Sequence, residues 1–96
     1  MDTVLTANKK VAWVVIVEPY WNISEKDYET YLIDVGKLAA IVYTHNYDSW
    51  IINLYLPTAI HPPTWSFSYD IDENDDYERY VRNRQTLTEA WNTLYA

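Results

Sequence analysis

Ser24-Glu25-Lys26-Asp27-Tyr28-Glu29-Thr30-Tyr31-Leu32-Ile33-Asp34-Val35-Gly36 is the stretch on which the fold turns. Its punctuation is helical. Ser24 is a natural N-cap, Asp27 three residues later completes a pair like a capping box, and Ile23 and Tyr28 stand where a hydrophobic staple closes the first turn. Tyr28, Tyr31, Leu32 and Val35 fall at i, i+3, i+4 and i+7 and make one apolar stripe. Gly36, the only glycine of the chain, stands where a left-handed residue ends a helix. The spacing therefore predicts a helix over residues 24–35.

On the N-terminal side, Val11-Ala12-Trp13-Val14-Val15-Ile16-Val17 is apolar on both faces and rich in β-branched residues, which reads as a buried strand ended by Pro19. Residues 1–10 are polar and aperiodic, a flexible lead-in to a single domain over residues 11–96. On the C-terminal side, residues 38–44 and 50–56 are two β-rich runs joined by His45-Asn46-Tyr47-Asp48-Ser49, a hairpin. Residues 58–64, with Pro62 and Pro63, make a loop. Trp65, Phe67, Tyr69 and Ile71 then alternate with Ser66, Ser68 and Asp70, an antiparallel strand with one wet face. A last helix starts at Asp72 or Asn74 and buries Tyr77, Tyr80, Val81, Leu87, Trp91 and Leu94, with Arg84 interrupting the stripe. The expected fold class is α+β: a two-layer sandwich of order β-α-β-β-β-α, with an antiparallel-rich four-stranded sheet and two helices on one face.

The totals narrow the function. Ninety-six residues make one small domain with little stability to spare. Ten Tyr and five Trp beside one Phe favour surfaces that are half-buried or buried on association. Fourteen acids against seven bases give a net charge of −7, which argues against nucleic acid or anionic membrane as a direct partner and admits basic proteins. No cysteine means no disulfide framework and no zinc–thiolate site, as suits a cytoplasmic protein. The seven-residue apolar run 11–17 is too short to span a membrane.

Little in the chain points to catalysis. One glycine is too few for a phosphate cradle, so no cofactor is expected. His45 and His61 have no ligand spacing, and no metal is expected. Ser24 is used by the cap, Ser66 and Ser68 lie on a solvated face, and no nucleophile stands at a known spacing from a base. The reading is a binding protein, not an enzyme.

The sharpest local feature is acidic. Asp70-Ile71-Asp72-Glu73-Asn74-Asp75-Asp76-Tyr77-Glu78 carries six carboxylates in nine residues. Acids at a helix N-terminus are favoured by about 0.3–1 kcal/mol each, and two or three would meet that need. Asp70 and Asp72, two apart on a strand, project to one side about 7 Å apart. Asp72, Asp75 and Asp76 as helical neighbours lie about 5–6 Å apart. Such spacings imitate phosphates along a nucleic-acid strand. Glu25 and Glu29, with Asp34, extend the field if the two helices are adjacent, whereas Arg79, Arg82 and Arg84 blunt it if they pair with the acids locally. Tyr20, Trp21, Tyr47 and Tyr80 are the aromatic contact candidates.

The element order after the first strand resembles that of double-stranded RNA-binding domains, but the basic start of their last helix is here replaced by Asp72, Glu73, Asp75 and Asp76. In composition the chain resembles small phage-encoded inhibitors, among them anti-CRISPR and anti-restriction proteins. That resemblance covers no motif and transfers no residue. It implies an inhibitor and nothing more; the acidic run supplies the expectation that the inhibitor occupies the nucleic-acid site of a basic host protein in the host cytoplasm. The alternative is a homodimeric or complex-forming structural protein that associates through its aromatic surface or a sheet edge.

Overall fold

A computed structural model describes residues 12–22, 25–58 and 62–95. The lead-in 1–10, Val11, the cap and staple at Ser24 and Ile23, and His61 in the proline loop lie outside the described residues. So does the side chain of Trp21.

Residues 25–34 are not a helix. They form strand β2 (Glu25–Asp34), paired antiparallel along its whole length with β1 (Trp13–Asn22). The same residues satisfy both periods. Glu29, Tyr31 and Ile33 alternate with Tyr28, Thr30 and Leu32 as well as the helical stripe does. Long-range pairing decides, because a helix here would leave the β-branched first strand without this neighbour, and Thr, Tyr and Ile favour a pleated surface. Pro19 does not end β1. It sits opposite Tyr28, and in a two-stranded ribbon each strand has a free edge that tolerates a missing N–H. Gly36 ends no helix either: it lies in a 3-10 turn (Val35–Lys37), where its N–H donates to Asp34 Oδ1 at 3.0 Å.

The rest follows the expected order. β3 (Ala40–His45), β4 (Ser49–Tyr55) and β5 (Trp65–Asp70) form an antiparallel meander, and α1 (Asn74–Tyr95) closes the described chain. Among the described residues the expected four-stranded sheet with two helices is thus replaced by one long helix and two sheets, of two and three strands.

Register places Ile52 opposite Phe67 and Trp50 opposite Tyr69, on the face that holds the core. The ribbon and α1 both pack against that face. Val14, Ile16 and Ile33 come from the ribbon, Ile52, Leu54, Phe67 and Tyr69 from the three-stranded sheet, and Tyr80 and Leu87 from the helix. Tyr31 meets Phe67 edge-on at 5.1 Å. β1 is not buried on both faces as its composition suggests: Val14 and Ile16 are buried, while Trp13, Val15 and Val17 are exposed.

The helix phase also differs. Its inward line is Tyr80, Asn83 and Leu87, continued by the half-buried Trp91 and Leu94; Tyr77 and Val81 face outward. Arg84 does not break the packing. Its guanidinium lies 4.6 Å from the Tyr43 ring centre and donates to Tyr80 Oη at 3.0 Å.

Candidate functional site

Two carboxylate groupings stand out, one at each side of the helix start. The first gathers at the end where the β3–β4 loop meets the β5–α1 corner. Asn46 shapes the loop: its Oδ1 accepts from Asp48 N at 3.0 Å and Ser49 N at 2.8 Å, and its own N–H donates to Ser49 O at 3.0 Å. That turn leaves Tyr47 at the tip, 94 % exposed. Ile71 N donates to Asp48 O at 3.0 Å, which ties the loop to the corner. Asp48 therefore joins the six acids singled out in the sequence.

Those six do not behave alike. Asp70 Oδ1 accepts from Asp72 N at 2.9 Å, and Asp76 Oδ2 accepts from Asp70 N at 2.9 Å. Asp76 Oδ1 also receives Arg79 Nη2 at 3.0 Å. Asp70 and Asp76 thus hold the corner's own shape. Asp72, Glu73, Asp75 and Glu78 are exposed and form no ion pair among the described residues. Asp72 precedes the helix and lies in the turn after β5, so the strand and helix spacings assigned to it in the sequence do not apply.

The arginines do little to neutralise this end. Arg79 binds Asp76 and Glu18, and its pKa is raised: burial acts against the charge, but the hydrogen bond it donates to Asp76 and the nearby Glu18 outweigh it. Arg84 is turned to Tyr43 and Tyr80. Arg82 makes no ion pair among the described residues.

Glu25 and Glu29 stand on β2, not on a helix beside α1, so they do not extend the corner as expected. Between the ribbon and the corner lies a shallow hollow of about 250 Å³ whose lining includes Lys26, Asp75, Glu78, Arg79 and Arg82, a mixed field that bounds the acidic end.

Among the aromatic candidates, Tyr47 stands fully out. Tyr20 and Trp21 are on β1, and Tyr20 Oη donates to Asp27 Oδ2 at 3.3 Å. Tyr80 is buried and stacked on Trp50, with ring centres 5.4 Å apart, and presents no free surface. Tyr77, read from the sequence as core, is instead 48 % exposed beside Trp50 and the acids. Only the helix phase separates the two tyrosines, and the phase is set by which side of α1 meets the sheet.

The second grouping is enclosed. Glu18 Oε1 accepts from Tyr69 Oη at 2.5 Å and Asn83 Nδ2 at 2.9 Å, and Oε2 accepts from Arg79 Nε at 3.2 Å. Asn83 Nδ2 also reaches Tyr69 Oη at 3.0 Å. Tyr69 is fully buried and its pKa is pushed far up, first by burial and then by the Glu18 hydrogen bond. Every member is partnered, so the cluster locks the ribbon, β5 and α1 together. The sequence held two signals for it. Glu18 shares the inward parity of Val14 and Ile16, and Asn83 sits between Tyr80 and Leu87 on the helix stripe.

No group of three or more His, Cys, Asp or Glu among the described residues is placed to hold a metal ion, and no described helix is long and apolar enough to cross a membrane. No protein-family model, curated protein or solved structure gives a significant match to this chain.

Proposed function

We propose that the protein is a non-catalytic inhibitor that binds a basic, nucleic-acid-handling protein through its acidic end, in the manner of phage-encoded anti-restriction and anti-CRISPR proteins. One observation carries this reading. The Ile71–Asp48 bond ties the loop to the corner, where Asp72, Glu73, Asp75 and Glu78 are exposed with no ion pair among the described residues, and the rings of Tyr47 on the loop and Tyr77 on the first turn of α1 are exposed as well. The charge steers a basic partner in, and the two rings supply the contact energy that charge alone does not give. The target's Lys and Arg side chains would otherwise hold phosphates, so occupancy of this end excludes nucleic acid from them. The inhibitor acts in the cytoplasm of the host cell and needs no cofactor or metal.

The test is capture of partners from host lysate by tagged protein, beside a variant with Asp72, Glu73 and Asp75 changed to Lys. These three are chosen because their side chains carry none of the bonds that shape the corner. A nucleic-acid enzyme retained by the native protein, lost by the variant and displaced by duplex DNA supports the reading. A partner held equally by both proteins, or unaffected by DNA, contradicts it.

A further inference from the structure

We infer that the outer face of the β1–β2 ribbon is a self-association surface on which two copies of this chain pack face to face. The inference is independent of the acidic-end reading and concerns a different part of the molecule. Trp13, Val15 and Val17 from β1 and Leu32 from β2 are 62 %, 55 %, 41 % and 67 % exposed. Register sets Val15 opposite Leu32 and Val17 opposite Thr30, so these side chains form one strip, which Tyr28 continues at 59 % exposure. The inner face of the same ribbon is covered by the body at Val14, Ile16 and Ile33, while Tyr20, Glu25, Asp27 and Glu29 on that face are exposed. A strand apolar on both faces is the pattern of a strand covered on both faces, and here one cover is in place.

Area and charge select the occupant. With the two large rings, the strip offers on the order of 500 Å² of apolar surface, most of the roughly 800 Å² per partner in a standard interface. Face-to-face packing of two such sheets at about 10 Å spacing lets the side chains interdigitate. The ribbon also sorts its charges. Glu18, Glu25, Asp27 and Glu29 have the inner parity, whereas the outer face has Asp34 at one end and Lys26 at the other. In a two-fold pair whose axis crosses the strands the ribbons run in opposite directions, so the Asp34 end of one copy lies over the Lys26 end of the other. A chain of net charge −7 thereby sets Asp34 of each copy over a mixed field of Lys26, Arg79 and Arg82 with Asp75 and Glu78. A basic protein finds no carboxylate in the middle of this strip, and an anionic lipid surface repels the chain as a whole.

Sedimentation equilibrium of the full chain, from low to high micromolar concentration, tests this. A monomer–dimer equilibrium is expected, and Val15→Lys with Leu32→Lys should weaken it by about 100-fold or more, the loss of two buried aliphatic side chains per copy. Both positions are exposed, so circular dichroism should show the variant folded as the native chain is. A variant with only Asp72→Lys and Glu73→Lys should dimerise as the native chain does. A native chain that stays monomeric throughout, or a dimer that survives the ribbon variant, overturns the inference.

Discussion

Carboxylates of the ribbon and carboxylates of the acidic end differ in what answers them. On the ribbon's inner face Glu18 takes bonds from Tyr69, Asn83 and Arg79, Asp27 takes one from Tyr20, and Glu29 takes one from Tyr31. At the acidic end Asp70 and Asp76 are engaged in holding the turn, and Asp48 takes only the hydroxyl of its neighbour Ser49. The contrast gives the tyrosine surplus a second use. Where positive side chains are few, a phenol fills an apolar position with its ring and satisfies an acid with its hydroxyl. Carboxylates left without either are available to a partner.

Breaking the enclosed group should cost most. Glu18→Ala removes the common acceptor of a buried phenol, a buried amide and a guanidinium, and should lower stability by about 2–4 kcal/mol in chemical denaturation. Tyr69→Phe keeps the ring and should cost about 1–2 kcal/mol. The native chain should also have an alkaline transition of its own. Tyr69 holds its proton far more tightly when folded, first through burial and then through Glu18. Its contribution is therefore complete below the ordinary phenol value of about 10 and is lost as pH rises above it. Thermal melts across that range should fall more steeply in the native chain than in Tyr69→Phe; equal slopes would detach the phenol from the lock.

Smaller effects sharpen the comparison from the other side. Asp76→Ala, which removes an acceptor of Asp70 N and the Arg79 partner, should cost about 1 kcal/mol. Asp72→Asn with Glu73→Gln should change stability by no more than about 0.5 kcal/mol, because exposed acids with no partner have little to lose. A cost near that of Glu18→Ala would show that the end is structural.

How legible all this was in the sequence depends on the element. Trp65, Phe67 and Tyr69 alternate with Ser66 and Ser68, a pattern with one period only, and the strand and its inward face followed directly. Residues 25–34 carry two periods at once, and local punctuation pointed to the one that long-range pairing overrode. The acidic corner was visible as a run, but which of its members bond inward depended on the Asp70–Asp76–Arg79 geometry, which spacing does not encode. Asp48 joined it through a backbone bond that no residue type announces. Glu18 and Asn83 stand at inward-phased positions of their patterns, but their meeting required two elements far apart in the chain to be placed together.

The most direct test of the functional reading is a titration of isotope-labelled protein with a Lys- and Arg-rich peptide, followed by amide chemical shifts. Shifts should cluster at Tyr47, Asp48, Asp72, Glu73, Asp75 and Glu78 and weaken as salt is added. Shifts centred on Glu25, Asp27 and Glu29, or spread evenly over every exposed acid, would contradict it.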